Sequence, residues 1–293
     1  MKTKTRSKIK RSKAQTAFQI FAYILVTFLA LICLYPFWYV LMASFSDSLT
    51  LNRHVGLLFR PLGFTLAAYK EVFKQELLLS GYLNTFFYLG TKLPLQLIIT
   101  SMGAYFFTRP NVYFKNFLFK YCLLTMYISG GMIATYLNLQ DLNLLDTRLS
   151  MILMGALSCY NMIILRSSFS AIPESLSDAA RIDGAGHFRT FWKVYLPLGK
   201  ASIMVIALYY GVAIWDAWFW HQIVNDKTKW PLQAVLRVLL TQDSSMSDSS
   251  MGAAFLETAR YAVIVISILP VVLIYPWIQK HFTKVTLAGA VKG

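Results

Sequence analysis

Two ionisable side chains stand inside otherwise charge-free stretches of this 293-residue chain. Lys92 interrupts the run between Glu76 and Arg109, and Asp216 interrupts the run between Lys200 and His221. Asp216 lies within Trp215-Asp216-Ala217-Trp218-Phe219-Trp220. Aromatic rings beside a carboxylate can stack on sugar faces while the carboxylate accepts hydrogen bonds from hydroxyl groups. The same residues fit a structural use, with Trp218 and Trp220 as interfacial anchors and Asp216 as the partner of Lys92 or of an outer-loop base. Lys92 is equally open: it snorkels towards the headgroups, or it faces a polar path and attracts an acidic solute. Asn84, Gln96, Thr125, Tyr127, Asn138 and Asn161 are further polar residues in apolar surroundings. Helix packing is an equal use for each of them.

Other reactive groups form no catalytic pattern. Cys33, Cys122 and Cys159 lack metal-ligand spacing and read as buried apolar residues. His54, His187, His221 and His281 are scattered and make no HExxH cluster, so no metal site is expected. There is no glycine-rich GxxxxGK[ST] phosphate loop. If ATP drives this chain, another chain must hydrolyse it.

Residues 166–200 carry a different kind of signal. Pro173 is suited to open a helix, with Ser170 or Ser175 contributing near its start. Glu174 and Asp178 would then sit towards its positive end. Ala179 and Ala180 add little bulk, and Gly184 and Gly186 permit a tight change of direction. A short amphipathic helix through Phe188, Phe191, Trp192 and Leu196 is expected to end at Pro197. A plain surface hairpin joining two longer helices explains this composition equally well.

The elements that position these residues are long and apolar. Hydrophobic residues make up 57% of the chain and charged residues 14%, against about 25% charged in an ordinary soluble domain. That excludes intrinsic disorder. It also excludes a nucleic-acid-binding domain, which needs its basic charge gathered on an accessible face. Between Lys13 and Asp47 lie 33 uncharged residues, more than the roughly 20 that span a bilayer core and too many for a cleavable signal segment. Further apolar stretches run from Glu76 to Arg109, Tyr121 to Gln140, Leu149 to Leu165, Lys200 to about His221, and Tyr261 to Gln279. None alternates as a β-barrel strand would. The expectation is an all-α polytopic membrane protein with six transmembrane helices. Pro36, Pro94, Pro270 and Pro276 mark expected kinks or frayed ends, and Gly130-Gly131 either loosens the third stretch or permits close packing.

Charge orients these stretches. With a cytoplasmic N-terminus, the inner segments hold 18 basic and three acidic residues, and the rest of the chain is balanced. The whole formal charge of +15 then falls on one side. Outside lie a loop over 46–80, with a surface helix in FTLAAYKEVFK, a short loop over 141–148 and a large segment over about 222–259.

The run Asp178-Ala179-Ala180-Arg181-Ile182-Asp183-Gly184-Ala185, followed by Phe188 and Leu196-Pro197-Leu198, resembles the EAA loop of binding-protein-dependent ABC importer permeases. Asp178 stands where that family usually has Glu. The ending Leu287-Ala288-Gly289-Ala290-Val291-Lys292-Gly293 is similar to the tail of the maltose-type second permease of carbohydrate importers. The long basic N-terminus, Tyr35-Pro36-Phe37-Trp38 and the Trp215–Trp220 cluster are similar to the branch for complex or modified oligosaccharides. The resemblance covers nearly the whole chain. It implies the type I importer permease fold: a basic cytoplasmic arm over 1–17, a transmembrane domain over 18–279 and a cytoplasmic tail over 280–293. Within it, a coupling loop over about 170–197 docks on an ATPase through Glu174, Asp178, Ala179, Ala180, Arg181, Asp183, Gly184, Ala185 and Gly186, with Arg189 at the edge. The implied partners are a homologous second permease, two cytoplasmic ABC ATPases that bind ATP and Mg, an extracellular solute-binding lipoprotein and an oligosaccharide. This chain itself would bind no cofactor and catalyse no reaction, and it would lie in a bacterial plasma membrane. Sugar contact or a translocation path would draw on Asn84, Lys92, Tyr127, Asn161, Trp215, Asp216 and Trp218. The competing readings are a stand-alone six-helix facilitator or ion-coupled carrier, and a membrane scaffold that moves no solute.

Overall fold

The computed structural model describes residues 13–110, 112–241, 258–273 and 276. Among the described residues all regular structure is helical. In chain order the helices are α1 (Lys13–Ser44), α2 (Ser48–Asn52), α3 (Ala67–Lys74), α4 (Glu76–Thr108), α5 (Lys115–Tyr127), α6 (Gly131–Asp141) and α7 (Arg148–Leu153). They continue with α8 (Cys159–Ser170), α9 (Glu174–Ile182), α10 (His187–Thr190), α11 (Leu196–Leu198), α12 (Lys200–Trp215), α13 (Phe219–Val224), α14 (Leu232–Thr241) and α15 (Thr258–Leu273). A π-helical turn, Phe191–Tyr195, joins α10 to α11, and a 3₁₀ turn occupies Lys227–Lys229. The acidic and serine-rich run of the outer segment, most of the basic arm, and the tail over 280–293 lie outside the described residues.

The chain divides into two compact units, one over 1–71 and 244–265, the other over 72–243 and 266–293. In the first, α1 is 32 residues long and begins at Lys13, so the end of the basic arm is already helical. None of its most apolar window is buried inside the protein, and Phe18, Phe21 and Phe28 are exposed. An apolar face of that size suits lipid, not water. The helix runs unbroken through Pro36, so the expected fraying there does not occur. In an apolar solvent, backbone groups released by fraying would find no water to bond. Its C-terminal end packs Ala43 against Leu51 and Leu58. Asp47 caps α2 by accepting from the Thr50 N–H at 3.1 Å, and the Ser44 and Tyr69 hydroxyls bond at 2.8 Å. The surface helix expected near FTLAAYKEVFK is α3.

In the second unit α4 is the central element, packed by α8, α12 and α14. Its 33 residues rise about 50 Å at 1.5 Å each, and they continue through Pro94. Several of its polar residues face inward: Thr85, Gln96, Thr100 and Ser101 are all buried. The Thr100 and Tyr210 hydroxyls bond at 2.7 Å, and the Gln96 side chain donates to the Gly155 carbonyl at 2.7 Å. Polar bonds of this kind tie helices together where no hydrophobic force between them is available. Two apolar clusters of described residues pack the unit. One gathers Ala104, Phe107, Met162, Leu165, Phe169 and Ile206, and the other Tyr88, Leu139, Met151, Ile214 and Val224.

Three of the expected spans are not single helices. The stretch Tyr121–Gln140 is divided between α5 and α6, which bend by 115°. Gly131 adopts φ +78° there, a conformation that costs glycine little and other residues much. The loosening role expected of Gly130-Gly131 is therefore the one seen. The stretch Leu149–Leu165 is divided between α7 and α8, and Asp216–Trp218 separates α12 from α13. The chain also turns by 82° between His187–Leu198 and α12. Among the described residues one helix, α1, is by itself long and apolar enough to cross a membrane, and up to three spans result if each bent pair counts as one.

Candidate functional site

Helix α9 starts directly after Pro173, whose position carries no side-chain cap, so neither Ser170 nor Ser175 fills that role. Its exit is built by backbone geometry. The Gly184 N–H donates to the Arg181 carbonyl at 2.9 Å, and the Ala185 N–H donates to the Ala180 carbonyl at 2.9 Å. With Gly184 at φ +73°, these bonds form a Schellman turn, which closes a helix and redirects the chain. Gly186 then leads into α10. Glu174, Asp178, Ala179, Arg181, Asp183, Gly184 and Gly186 are exposed, and Ala180 and Ala185 are half-buried. Asp178 and Arg181 pair at 3.5 Å with both side chains open to solvent, and such pairs contribute little. The exposed row also carries Leu176 and Ile182, the latter 87% exposed.

The one buried residue of α9 is Ser177. Its hydroxyl accepts from Arg109 Nη1 at 2.9 Å. Arg109, at the C-terminal cap of α4, is 7% exposed. Its Nη2 donates to the Tyr195 hydroxyl, and its guanidinium lies 4.6 Å from the ring centre of Tyr105 and 4.5 Å from that of Tyr195. Lys115 Nζ donates to the Arg109 carbonyl at 2.7 Å. Tyr195 is the last residue of the π turn, where the Leu196 N–H donates five residues back to the Phe191 carbonyl. Pro197 follows and has no N–H to continue a regular ladder. The turn leaves Phe191 and Tyr195 both buried. One cation thus joins the end of α4, the exposed-faced helix α9 and the π turn entering α12.

At the other end of the second unit, Asn84 of α4 organises the loop between α13 and α14. Its amide donates to the Thr228 carbonyl at 2.8 Å and the Trp230 carbonyl at 3.0 Å. Its oxygen accepts from Arg148 Nη2 at 2.9 Å. The Leu232 N–H donates to Thr85 Oγ1 at 2.9 Å. Lys229 pairs with Asp146 at 2.7 Å, and this bond, with the Asp226 N–H, holds the Asp146 carboxyl below its ordinary range. Replacing Asn84 by leucine orphans these groups, at about 1–3 kcal/mol for each one left buried and unpaired. The expected result is a melting temperature several degrees lower for the purified protein in detergent. A wild-type melting curve would refute this use of Asn84.

A family model for the "Binding-protein-dependent transport system inner membrane component" matches residues 61–286. The chain belongs to this family. Protein LplC of Bacillus subtilis is 36% identical over 288 residues, covering 96% of this chain and 97% of LplC. The polygalacturonan/rhamnogalacturonan transport system permease protein YtcP of the same organism is 36% identical over 284 residues, covering 94% of this chain and 98% of YtcP. Among solved structures, a bacterial ABC transporter involved in the import of the acidic polysaccharide alginate matches with a TM-score of 0.86 and 31% identity. That match covers 94% of this chain and 100% of the other. The permease is therefore a transport component of the inner membrane, with the all-helical ABC importer architecture.

The remaining polar residues of this permease are not gathered into one place. Tyr127 is 84% exposed at the end of α5, and Asn161 is buried in the first turn of α8. Trp215 meets Phe86 edge-on with ring centres 6.5 Å apart, and Arg237 lies 3.8 Å over the Trp218 ring. Asp216 is exposed at the C-terminal cap of α12, and Lys92 is half-buried on α4. The expected pairing of Asp216 with Lys92 or an outer base is not present among the described residues, where Asp216 stands exposed at the helix end. The cause is the end of α12 at Trp215, which leaves Asp216 facing solvent. Ser177 and Tyr195 went unmarked in the sequence, and Arg109 appeared there only as the boundary of an apolar stretch. The one local sign was Arg109-Pro110 directly after an apolar span.

Proposed function

We propose that this permease carries oligosaccharides across a bacterial plasma membrane, as one of two homologous permease subunits in an ATP-driven importer. α9 carries the reading: a short helix with an exposed row from Glu174 to Gly186, closed by Gly184 and tied by Ser177 to the core. Its exposed row is the dock for a cytoplasmic ATPase, which binds ATP and Mg. Movement of that ATPase passes through α9 to Arg109, and from there to α4 and α12. The spans then alternate between inward-facing and outward-facing states. In this reading the chain crosses six times, with α5–α6 and α7–α8 as broken spans and both termini cytoplasmic. The distribution of basic residues supports that orientation. The segment over 222–259, of which residues 222–241 and 258–259 are described, faces an extracellular solute-binding lipoprotein.

YtcP and the alginate importer are both named for acidic polysaccharides, so oligouronates are the first cargo to test. Lys92, Tyr127, Asn161, Trp215, Asp216 and Trp218 remain the candidate path residues. The test is uptake into proteoliposomes containing this permease, its partner permease, the ATPases and the binding protein. The expected result is uptake that requires ATP and every component. Sugar movement by this chain alone, without ATP, would return the facilitator reading.

A further inference from the structure

Helix α15 continues from Thr258 to Leu273 without a break at Pro270, so the fraying expected there does not occur. Proline carries no N–H, and the carbonyl four residues before it, that of Ile266, therefore loses its donor in the helical ladder. Ile266 is 8% exposed, and in an apolar solvent no water replaces the missing donor. The donor comes from another helix. The Tyr82 hydroxyl of α4 donates to the Ile266 carbonyl at 2.7 Å, across 184 residues of chain. Tyr82 is half-buried, and it lies in the same compact unit as Ile266 and Pro270. The phenol of one helix thus stands in for the N–H that the proline of the other lacks.

We infer that Tyr82 is a positioning residue for transport, and that α15 bends at Pro270 when its bond to α4 opens. A donor inside a helix's own ladder moves with the helix and is released only by unwinding it. A donor on a neighbouring helix is different. A small shift of α4 against α15 breaks one bond and leaves the rest of the α15 ladder intact. The proline ring prevents the ladder from closing at this level, which fixes the place where the helix bends. The use of this hinge in transport rests on the proposed function, in which movement of the ATPase reaches α4 through Arg109. Arg109 caps the C-terminal end of α4, and Tyr82 lies near its N-terminal end, so Tyr82 passes a shift of α4 on to α15. A bond that served packing alone would gain nothing from proline, because alanine at 270 would satisfy the Ile266 carbonyl within α15.

The experiment compares Tyr82→Phe, Pro270→Ala and the double variant in the assembled importer. The readouts are melting temperature in detergent and ATP-dependent uptake of an oligouronate into proteoliposomes. Tyr82→Phe keeps the ring and orphans the carbonyl, so the melting temperature should fall by several degrees. Pro270→Ala supplies the missing N–H, so the double variant should melt as the wild type does. Uptake should not return with it. Pro270→Ala and the double variant should both transport about threefold or more slowly than wild type, the size of an altered coupling between helices, because the hinge is gone. Should Tyr82→Phe fail to assemble, recovery of assembly on adding Pro270→Ala gives the same answer as the melting temperature. A double variant no better than Tyr82→Phe, or a Tyr82→Phe that melts as wild type, overturns the role of the Tyr82 hydroxyl. Wild-type uptake by Pro270→Ala overturns the hinge. The importer reading fails on a different result, the absence of ATP-dependent uptake by the wild-type preparation, and the melting temperatures score the bond in either case.

Discussion

Replacing Arg109 by leucine is expected to reduce binding-protein-stimulated ATP hydrolysis and sugar uptake by about tenfold or more, while the permease still reaches the membrane. The size follows from what the side chain holds. A hydrogen bond to a charged group is worth ~1.5–3 kcal/mol, and each ~1.4 kcal/mol is a factor of ten. Arg109 makes such bonds to Ser177 of α9 and to Tyr195 of the π turn. It also lies between the rings of Tyr105 and Tyr195, which adds attraction of about 0.5–2 kcal/mol where water is excluded. Leucine fills part of the space but leaves the Ser177 and Tyr195 hydroxyls unpaired. α9 then keeps its own fold and loses its grip on α4. Arg109→Lys should fall nearer to leucine than to wild type, because an ammonium cannot fork between two hydroxyls and stack on two rings. Ser177→Ala removes one bond and should cost less. A double-mutant cycle on Arg109 and Ser177 in the assembled importer should give a clear coupling energy. Full uptake by Arg109→Leu would show that force reaches α4 by another route.

The parts of this site that were legible in the sequence are those that a few neighbouring residues decide. Pro173 fixes the start of α9, Gly184 fixes its end, and both act on local backbone. The apolar lengths of α1 and α4 are legible for the same reason, since helix length and bilayer thickness are linked. The Arg109 junction was not legible. Ser177 lies 68 residues from Arg109 in the chain and Tyr195 lies 86 away, and no spacing rule connects them. Asn84 was equally opaque: it read as a candidate path residue, yet its amide bonds carbonyls 144 and 146 residues further on. The breaks between α5 and α6 and between α7 and α8 were hidden for another reason. Ile128 and Met154, which end α5 and α7, are as apolar as the helices they terminate, so hydropathy runs straight through. Gly131 permits a break but does not demand one.

Gly184→Val is expected to give a permease that inserts and assembles but couples poorly. Space is not the obstacle, because a Cβ at Gly184 would meet nothing within 4 Å. The obstacle is φ at +73°. A left-handed conformation costs an ordinary residue about 1–2 kcal/mol, and a β-branched residue is worse still. Valine would relieve this strain by opening the Schellman turn, which releases the Ala180 and Arg181 carbonyls from the N–H groups of Ala185 and Gly184. Helix α9 would fray from its C-terminal end, through Asp183, Arg181 and Ala180. Those residues sit on the proposed ATPase dock, so the loss appears as reduced stimulation of ATP hydrolysis and not as reduced membrane insertion. Gly184→Asn separates conformation from composition. Asparagine also adds a side chain, but it tolerates the left-handed region, so it should keep most of the coupling. The two variants are compared at equal amounts in assembled complexes, by ATP hydrolysis with and without binding protein. If valine and asparagine behave alike, the handed turn at Gly184 is not what shapes α9 for its partner. If valine alone fails, backbone conformation at this one glycine sets the form of the surface through which ATP hydrolysis reaches the membrane helices.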